Sequence, residues 1–263
     1  MKVFSITKKE ILAAMGAFLI ASAALSIGGT TVNKAVSAAA EKRDIPIYSV
    51  NTEEKKVAIS FDAAWGNEQT TELLDILDRY DVKATFFLVG QWVDNYPDSV
   101  KEIAEKGHDV ENHSNTHAHM PELSLEVMKE EIESCNEKIE ALTGKCPTLF
   151  RPPYGDYNND VVGAVKALNM YCIQWDVDSL DWKDLSSDDI TQRVTSKLQP
   201  GSIVLLHNGA KNTPAALPSI IEGIRAQGYE LVPISELVPK GDYETDHQGR
   251  MNIVEAPTET TTQ

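Results

Sequence analysis

Strand signals and helix signals alternate along residues 56–239, and this alternation predicts an α/β fold with parallel strands joined by right-handed crossovers. A second observation narrows the class. Asp62, His113, Arg151, Asp178 and His207 each fall at or just after the end of a different predicted strand. Strand ends converge on one mouth in a βα barrel, whereas an open sheet spreads them along its edge, so a barrel of seven β/α units is expected.

The elements follow in chain order. Lys2, Lys8 and Lys9 lead into the uncharged apolar run ILAAMGAFLIASAALSIGG at 11–29, and AVSAAAEKR at 35–43 offers small residues for cleavage. Residues 1–40 therefore read as a signal peptide or an N-terminal membrane anchor, which predicts export to the cell wall, the outer face of the membrane or the medium. Residues 41–55 read as a linker with a lead-in strand at IPIYSV. Short apolar or β-branched runs predict strands at 56–61, 84–89, 109–112, 148–151, 170–175, 202–206 and 229–232. Helical periodicity fills the intervals at 71–80, 99–106, 124–142, 161–168, 188–198 and 217–226. The clearest is 124–142, where Leu125, Met128, Ile132, Cys135, Ile139 and Leu142 recur three and four apart as one apolar stripe. Its Glu130, Glu131, Glu133 and Glu137 are assigned to solvated faces. The segment 240–263 is polar and rich in threonine at its end, and reads as a disordered tail.

Composition excludes some functions. The 263 residues carry a net charge of −16, which disfavours nucleic acid held on a broad basic face. Hydrophobic residues make up 42% of the chain, enough for a packed core. The three cysteines, Cys135, Cys146 and Cys172, form no Cys-x-x-Cys pair, which argues against a zinc site built on thiolates.

Four further segments join Asp62 as carriers of chemistry. HSNTH at 113–117 places two imidazoles four residues apart, able to share a metal if the segment winds as a helical turn. In FRPPYGDYN at 150–158 two prolines stiffen the backbone and can aim the Tyr154 N–H at one point; Arg151 there needs a carboxylate partner. DVDSLDW at 176–182 sets three acids within six residues, a density that a nearby cation such as Arg151 or a metal would relieve. His207 ends the apolar strand in SIVLLHNG at 202–209. Each segment has an ordinary structural explanation; five at one rim are harder to explain so.

The ordered set, Phe61-Asp62, His113 to His117, Arg151 to Gly155, Asp178 to Trp182 and Leu205 to His207, resembles the polysaccharide deacetylase family, carbohydrate esterase family 4. KATFFLVG at 83–90 looks like that family's second strand, and the resemblance covers about 50–240. It implies a distorted (β/α)7 barrel of the glycoside hydrolase/deacetylase type and metal-dependent removal of N-acetyl groups from a glycan. It implies His113 and His117 as metal ligands, Asp62 as general base and His207 as general acid. Tyr154 would supply an oxyanion N–H, Trp182 and Leu205 would line the acetyl pocket, and Arg151 and Asp181 would pair to orient Asp62. The implied metal is Zn2+, with Co2+ or Mn2+ as alternatives.

The sequence departs from the family pattern at FDAAWG, 61–66. Ala63 stands where a second aspartate supplies the third metal ligand, and Trp65 stands near the usual proline. This form resembles the sporulation-associated branch, which implies peptidoglycan or a related N-acetylglucosamine polymer as substrate. Three outcomes are open for the missing ligand: two histidines with water and Asp62; a substitute from Asn67, Glu68 or Glu111; or a catalytically impaired wall-glycan binder. An O-acetyl esterase is a further alternative. The expected partner is an N-acetylated glycan, with membrane contact only through the N-terminal segment and no protein partner.

Overall fold

The computed structural model describes residues 43–254. The predicted segment 1–40 and the last nine residues lie outside the described residues. The short lead-in strand β1 (Ser49–Val50) is followed by the long β2 (Lys56–Ala63). Six more strands complete the main sheet: β3 (Thr85–Leu88), β4 (Asp109–Asn112), β5 (Leu149–Phe150), β6 (Tyr171–Cys172), β7 (Val177–Asp178) and β8 (Ile203–His207), the last lying between β2 and β7. The order is β6-β5-β4-β3-β2-β8-β7 and every pairing is parallel. A further short strand, β9 (Glu230–Leu231), runs parallel beside the start of β2.

Helices α1 (Thr70–Arg79), α2 (Gly90–Asn95), α3 (Pro97–Glu105), α4 (Leu125–Thr143), α5 (Asn159–Ala167), α6 (Ser187–Thr195) and α7 (Thr213–Ala226) make the crossovers. The apolar faces of α1, α2, α3, α4, α6 and α7 join Val57, Ile59, Phe61 and Ala63, the outward side of β2, in one outer core, and α5 packs with Phe150, Cys172, Met128 and Ile132. Local chemistry sets their ends. The Ser124 hydroxyl accepts the Val127 N–H at 3.4 Å, and α4 stops at Gly144, whose φ of 71° suits a residue without a Cβ. Asn158 and Ser186 cap α5 and α6 in the same way as Ser124. The predicted stripe of α4 holds at Met128, Ile132, Cys135 and Ile139, whereas Leu125, in the first turn, is exposed. Helix α7 starts at Thr213, earlier than expected, because Pro214 occupies the first turn, where a missing N–H costs nothing.

The barrel is curled but not closed by its own strands. Only residues 173–176 separate β6 from β7, too few for a crossover helix, so these two strands form opposite edges. The lead-in segment seals the seam. Ile47 N–H donates to Cys172 O at 2.8 Å, Gln174 N–H donates to Ile47 O at 2.7 Å, and Val50 N–H donates to Gly201 O at 2.9 Å. Ile47 and Val50 are buried in the inner core with Ala58, Phe87, Ile173 and Ile203. The second half of the expected linker is thus part of the barrel.

The expected disorder from residue 240 is also corrected. Strands β10 (Tyr243–Thr245) and β11 (Arg250–Ile253) pair antiparallel, and β11 runs parallel to β1. Met251 is buried in the inner core, which gives this polar segment the apolar anchor that its composition hides. Helix α8 (Ile234–Leu237) covers the starts of β3 and β4, where Ile234 N–H donates to Thr85 Oγ1 at 2.8 Å and Ser235 Oγ donates to Asp109 Oδ1 at 2.7 Å. That end is plugged, so the open mouth lies at the other end, where the strands finish.

Candidate active site

The strand ends surround a cavity of about 630 Å³. Asp62, His113, His117, Tyr154, Asp178, Trp182, Leu205 and His207 all line it. Arg151 and Asp181 lie beneath it, both fully buried.

Asp62 sits near the end of β2 and alternates with the outward-facing Phe61 and Ala63. Arg151 Nη1 donates to Asp62 Oδ1 at 2.7 Å, and Arg151 Nη2 donates to Gln174 O at 3.2 Å. The guanidinium carbon lies 4.1 Å from the centre of the Phe87 ring, so the cation rests on the aromatic floor of the barrel. Burial raises the Asp62 pKa, but the charge and hydrogen bond of Arg151 outweigh it and hold the carboxyl below its ordinary value.

His113 follows β4. Its Nδ1 lies 2.7 Å from Arg151 O, and a carbonyl only accepts, so Nδ1 carries the proton. Burial lowers the His113 pKa and keeps the ring neutral, which leaves the Nε2 lone pair facing Asp62 Oδ2 at 3.5 Å. Two acceptors face each other there, an arrangement that a cation relieves. His117 stands beside it, with ring centroids 5.1 Å apart. Burial pushes the His117 pKa down to about 4, and among the described residues its Nδ1 is buried with no hydrogen-bond partner.

The segment 113–117 does not wind as a helical turn. Ser114 and His117 take φ of 67° and 61°, and the Ser114 hydroxyl accepts the His117 N–H at 2.9 Å. The tight loop is held from outside by Glu131, whose carboxylate accepts from Asn115 N–H at 3.0 Å, Thr116 N–H at 2.8 Å and Thr116 Oγ1 at 2.8 Å. Glu131 is therefore a clamp on the histidine loop and not merely a solvated charge.

The expected Arg151–Asp181 pair is also absent. Asp181 serves His207: its Oδ1 lies 2.7 Å from His207 Nδ1, and its Oδ2 accepts the His207 N–H at 2.8 Å and the Thr213 hydroxyl at 2.7 Å. Burial lowers the His207 pKa, but the hydrogen bond and charge of Asp181 outweigh it and raise the value. The acids of 176–182 relieve their repulsion by parting. Asp176 turns to Ile203 N–H at 2.8 Å, Asp178 Oδ1 accepts Leu180 N–H at 2.9 Å, and Asp181 takes His207.

Tyr154 adopts φ 61°, uncommon for a residue with a Cβ, and its ring stacks on His119 at 4.2 Å. His119 Nδ1 lies 2.8 Å from Asp156 Oδ2. The N–H groups that follow, of Gly155 and Asp156, are spent on Pro152 and Pro153 carbonyls at 3.2 and 3.0 Å. Leu205 is buried at the cavity floor, and Trp182 is half exposed at its rim.

Asn67, Glu68 and Glu111 do not join the histidines. Asn67 Nδ2 donates to Ser99 Oγ at 2.9 Å, and Glu68 Oε2 accepts Asn67 N–H at 3.0 Å. Glu111 points to β5, accepting Thr148 and Leu149 N–H at 2.8 and 2.7 Å, and burial pushes its pKa up to about 8. Ala63 is fully buried in the outer core. Among the described residues no three His, Cys, Asp or Glu side chains gather closely enough to hold an ion as they stand. The facing lone pairs and the orphaned His117 nitrogen nonetheless fit a divalent ion on two imidazoles, with Asp62 alongside.

Sequence reasoning missed Trp65 as a cavity wall and Thr213 as a partner of Asp181. Trp65 was visible only as an odd neighbour of Ala63, and Thr213 carried no signal. Cys135 and Cys172 are buried, Cys146 is exposed, and none is paired.

A model of the polysaccharide deacetylase family matches residues 49–173. The uncharacterized Bacillus subtilis protein YlxY is 36% identical over 193 residues, 73% of this chain and 60% of that protein. A peptidoglycan-N-acetylglucosamine deacetylase of Bacillus cereus is 33% identical over 69% of this chain and 68% of its own length. The crystal structure of a Bacillus anthracis protein described as a CE4 family pseudoenzyme superposes with a TM-score of 0.71 at 39% identity, covering 73% of this chain and 68% of that one. A mutant of that protein is described as having restored enzymatic activity. The shared barrel, the matched family model and these relatives identify the chain as a member of the polysaccharide deacetylase family, carbohydrate esterase family 4.

Proposed function

We propose that this protein removes N-acetyl groups from a cell-wall glycan, peptidoglycan or a related N-acetylglucosamine polymer, using a divalent ion held by His113 and His117. One observation carries the reading: a carboxylate biased toward ionisation by Arg151 and a histidine biased toward protonation by Asp181 line one cavity. An amide hydrolase needs such a divided pair, since water must lose a proton and the amine must gain one.

An ion bound there, Zn2+ first among the candidates, supplies Lewis acidity toward the amide carbonyl and lowers the pKa of water. The side chains do the rest. Asp62, held by Arg151 at Oδ1, receives the proton of the attacking water at Oδ2. His207, held at Nδ1 by Asp181, donates its Nε2 proton to the departing nitrogen, and acetate and a free amine leave. Leu205 and Trp182 offer the methyl group an apolar wall, and the rigid Pro-Pro-Tyr turn suits Tyr154 N–H to the oxyanion.

The Phe-Asp-x-x-Trp-Gly form supports a sporulation role, and the basic-then-apolar N-terminal segment supports export. Ala63 favours a second reading, a wall-glycan binder without turnover; the Bacillus anthracis relative described as a pseudoenzyme lends it weight. Acetate release from N-acetylglucosamine oligomers separates the two. The hydrolase releases acetate and loses it with chelator and with His113→Ala; the binder releases none and holds the oligomer in either case.

A further inference from the structure

We propose that Trp65 is a stacking platform for a pyranose ring of the glycan, next to the sugar whose acetyl group enters the cavity. The proposal rests on the cavity being a glycan site, as proposed above, but not on hydrolysis. Three large aromatic side chains are exposed among the described residues, Trp65 at 67%, Trp182 at 56% and Tyr154 at 53%, and all three line this one cavity. Scattered exposed apolar residues need no explanation, whereas three aromatics around one opening mark a binding surface.

Trp65 is not exposed because its loop is loose. Gly66 O accepts Trp92 Nε1 at 2.6 Å and Asn208 Nδ2 at 3.3 Å, and a Cβ at Gly209 would lie 2.5 Å from Trp65 O. The backbone at Trp65 and Gly66 is thus held against α2 and the loop that follows β8. The indole meets the edge of His117 at 4.7 Å, and His117 meets Tyr154 at 4.4 Å, so one side of the opening is a continuous aromatic rim. A fixed, solvent-facing indole loses little freedom on binding, which makes it an efficient contact.

The occupant follows from size and chemistry. A cavity of about 630 Å³ admits the reacting sugar and its acetyl group, but a polymer brings neighbouring rings that must lie across the rim. The axial C–H groups of a β-linked N-acetylhexosamine give it an apolar face that matches an indole face, with hydroxyls left in water. Where the family pattern carries a proline, this chain therefore adds contact area for the polymer.

The test is binding of the N-acetylglucosamine pentamer to the full chain in chelator, by calorimetry, so that no acetate is released during the titration. Trp65→Ala raises Kd about tenfold or more, Trp65→Phe stays within about threefold of the parent, and the melting temperature of both is unchanged. Equal pentamer affinity for Trp65→Ala and the parent overturns the proposal, as does a parent that does not bind the pentamer. Trp65-dependent binding by a protein that releases no acetate when metal is restored removes the hydrolase reading and leaves this proposal standing.

Discussion

Asp62 and Arg151 form a buried ion pair, and such a pair is informative chiefly when broken. Arg151 lies at 0% exposure on the Phe87 ring, and Asp62 at 6%. Arg151→Met leaves a buried carboxylate without its cation, at a cost of about 3–5 kcal/mol in unfolding free energy, read by urea denaturation at pH 7. A loss below about 1 kcal/mol contradicts this account of the pair. His207 gives a pH prediction. Its folded pKa is raised from 6.5 by Asp181, so its contribution to stability is fully present below 6.5 and disappears as pH rises through the folded value. In the proposed hydrolysis the same proton serves the leaving amine, so acetate release is expected to fall on that alkaline limb. Asp181→Asn removes the charge and moves the limb to lower pH; an unmoved limb assigns it to another group. The placement of Asp62 and His207 at the barrel mouth was legible because each lies at the end of a strand. Their partners were not, because Arg151 and Asp181 are joined to them across 89 and 26 residues and chain order does not say which acid meets which cation.

Elements place these residues, and the seam between β6 and β7 is where placement is most demanding. Gly201 is the pinch point: at φ 83° its missing Cβ would lie 1.8 Å from Val50 O. Gly201→Ala combines a strained backbone with a clash against the lead-in strand. It should destabilise by more than about 1 kcal/mol, seen as a lower urea midpoint with unchanged slope. An unchanged midpoint shows that the lead-in segment does not seal the barrel. The parallel strands and α4 were readable from apolar runs and periodicity, since burial writes those patterns directly. Strands β10 and β11 were not, because an edge ribbon anchored by Met251 carries few apolar residues. The tight His113–His117 loop was not legible because positive φ at Ser114 and His117 has no signature in residues with a Cβ.

At the scale of the molecule, a plugged barrel end and an open mouth gather Asp62, His113, His117 and His207 around one cavity. The cost of Ala63 is also set at this scale, through coupling of ion binding to folding. Ala63→Asp brings a carboxylate into a fully buried position. The metal-free variant should melt below the parent, and Zn2+ should raise its melting temperature more than the parent's if the carboxylate reaches the ion. An equal Zn2+ response in both proteins shows that position 63 does not face the metal. The central claim, that opposed Asp62 and His207 hydrolyse N-acetyl groups beside an ion on His113 and His117, is tested most directly by acetate. Full-length protein loaded with Zn2+, Co2+ or Mn2+ is incubated with peptidoglycan glycan strands and with N-acetylglucosamine oligomers. The account predicts metal-dependent acetate release that falls by about 100-fold or more in Asp62→Asn. No acetate from either substrate with any of the three ions contradicts it.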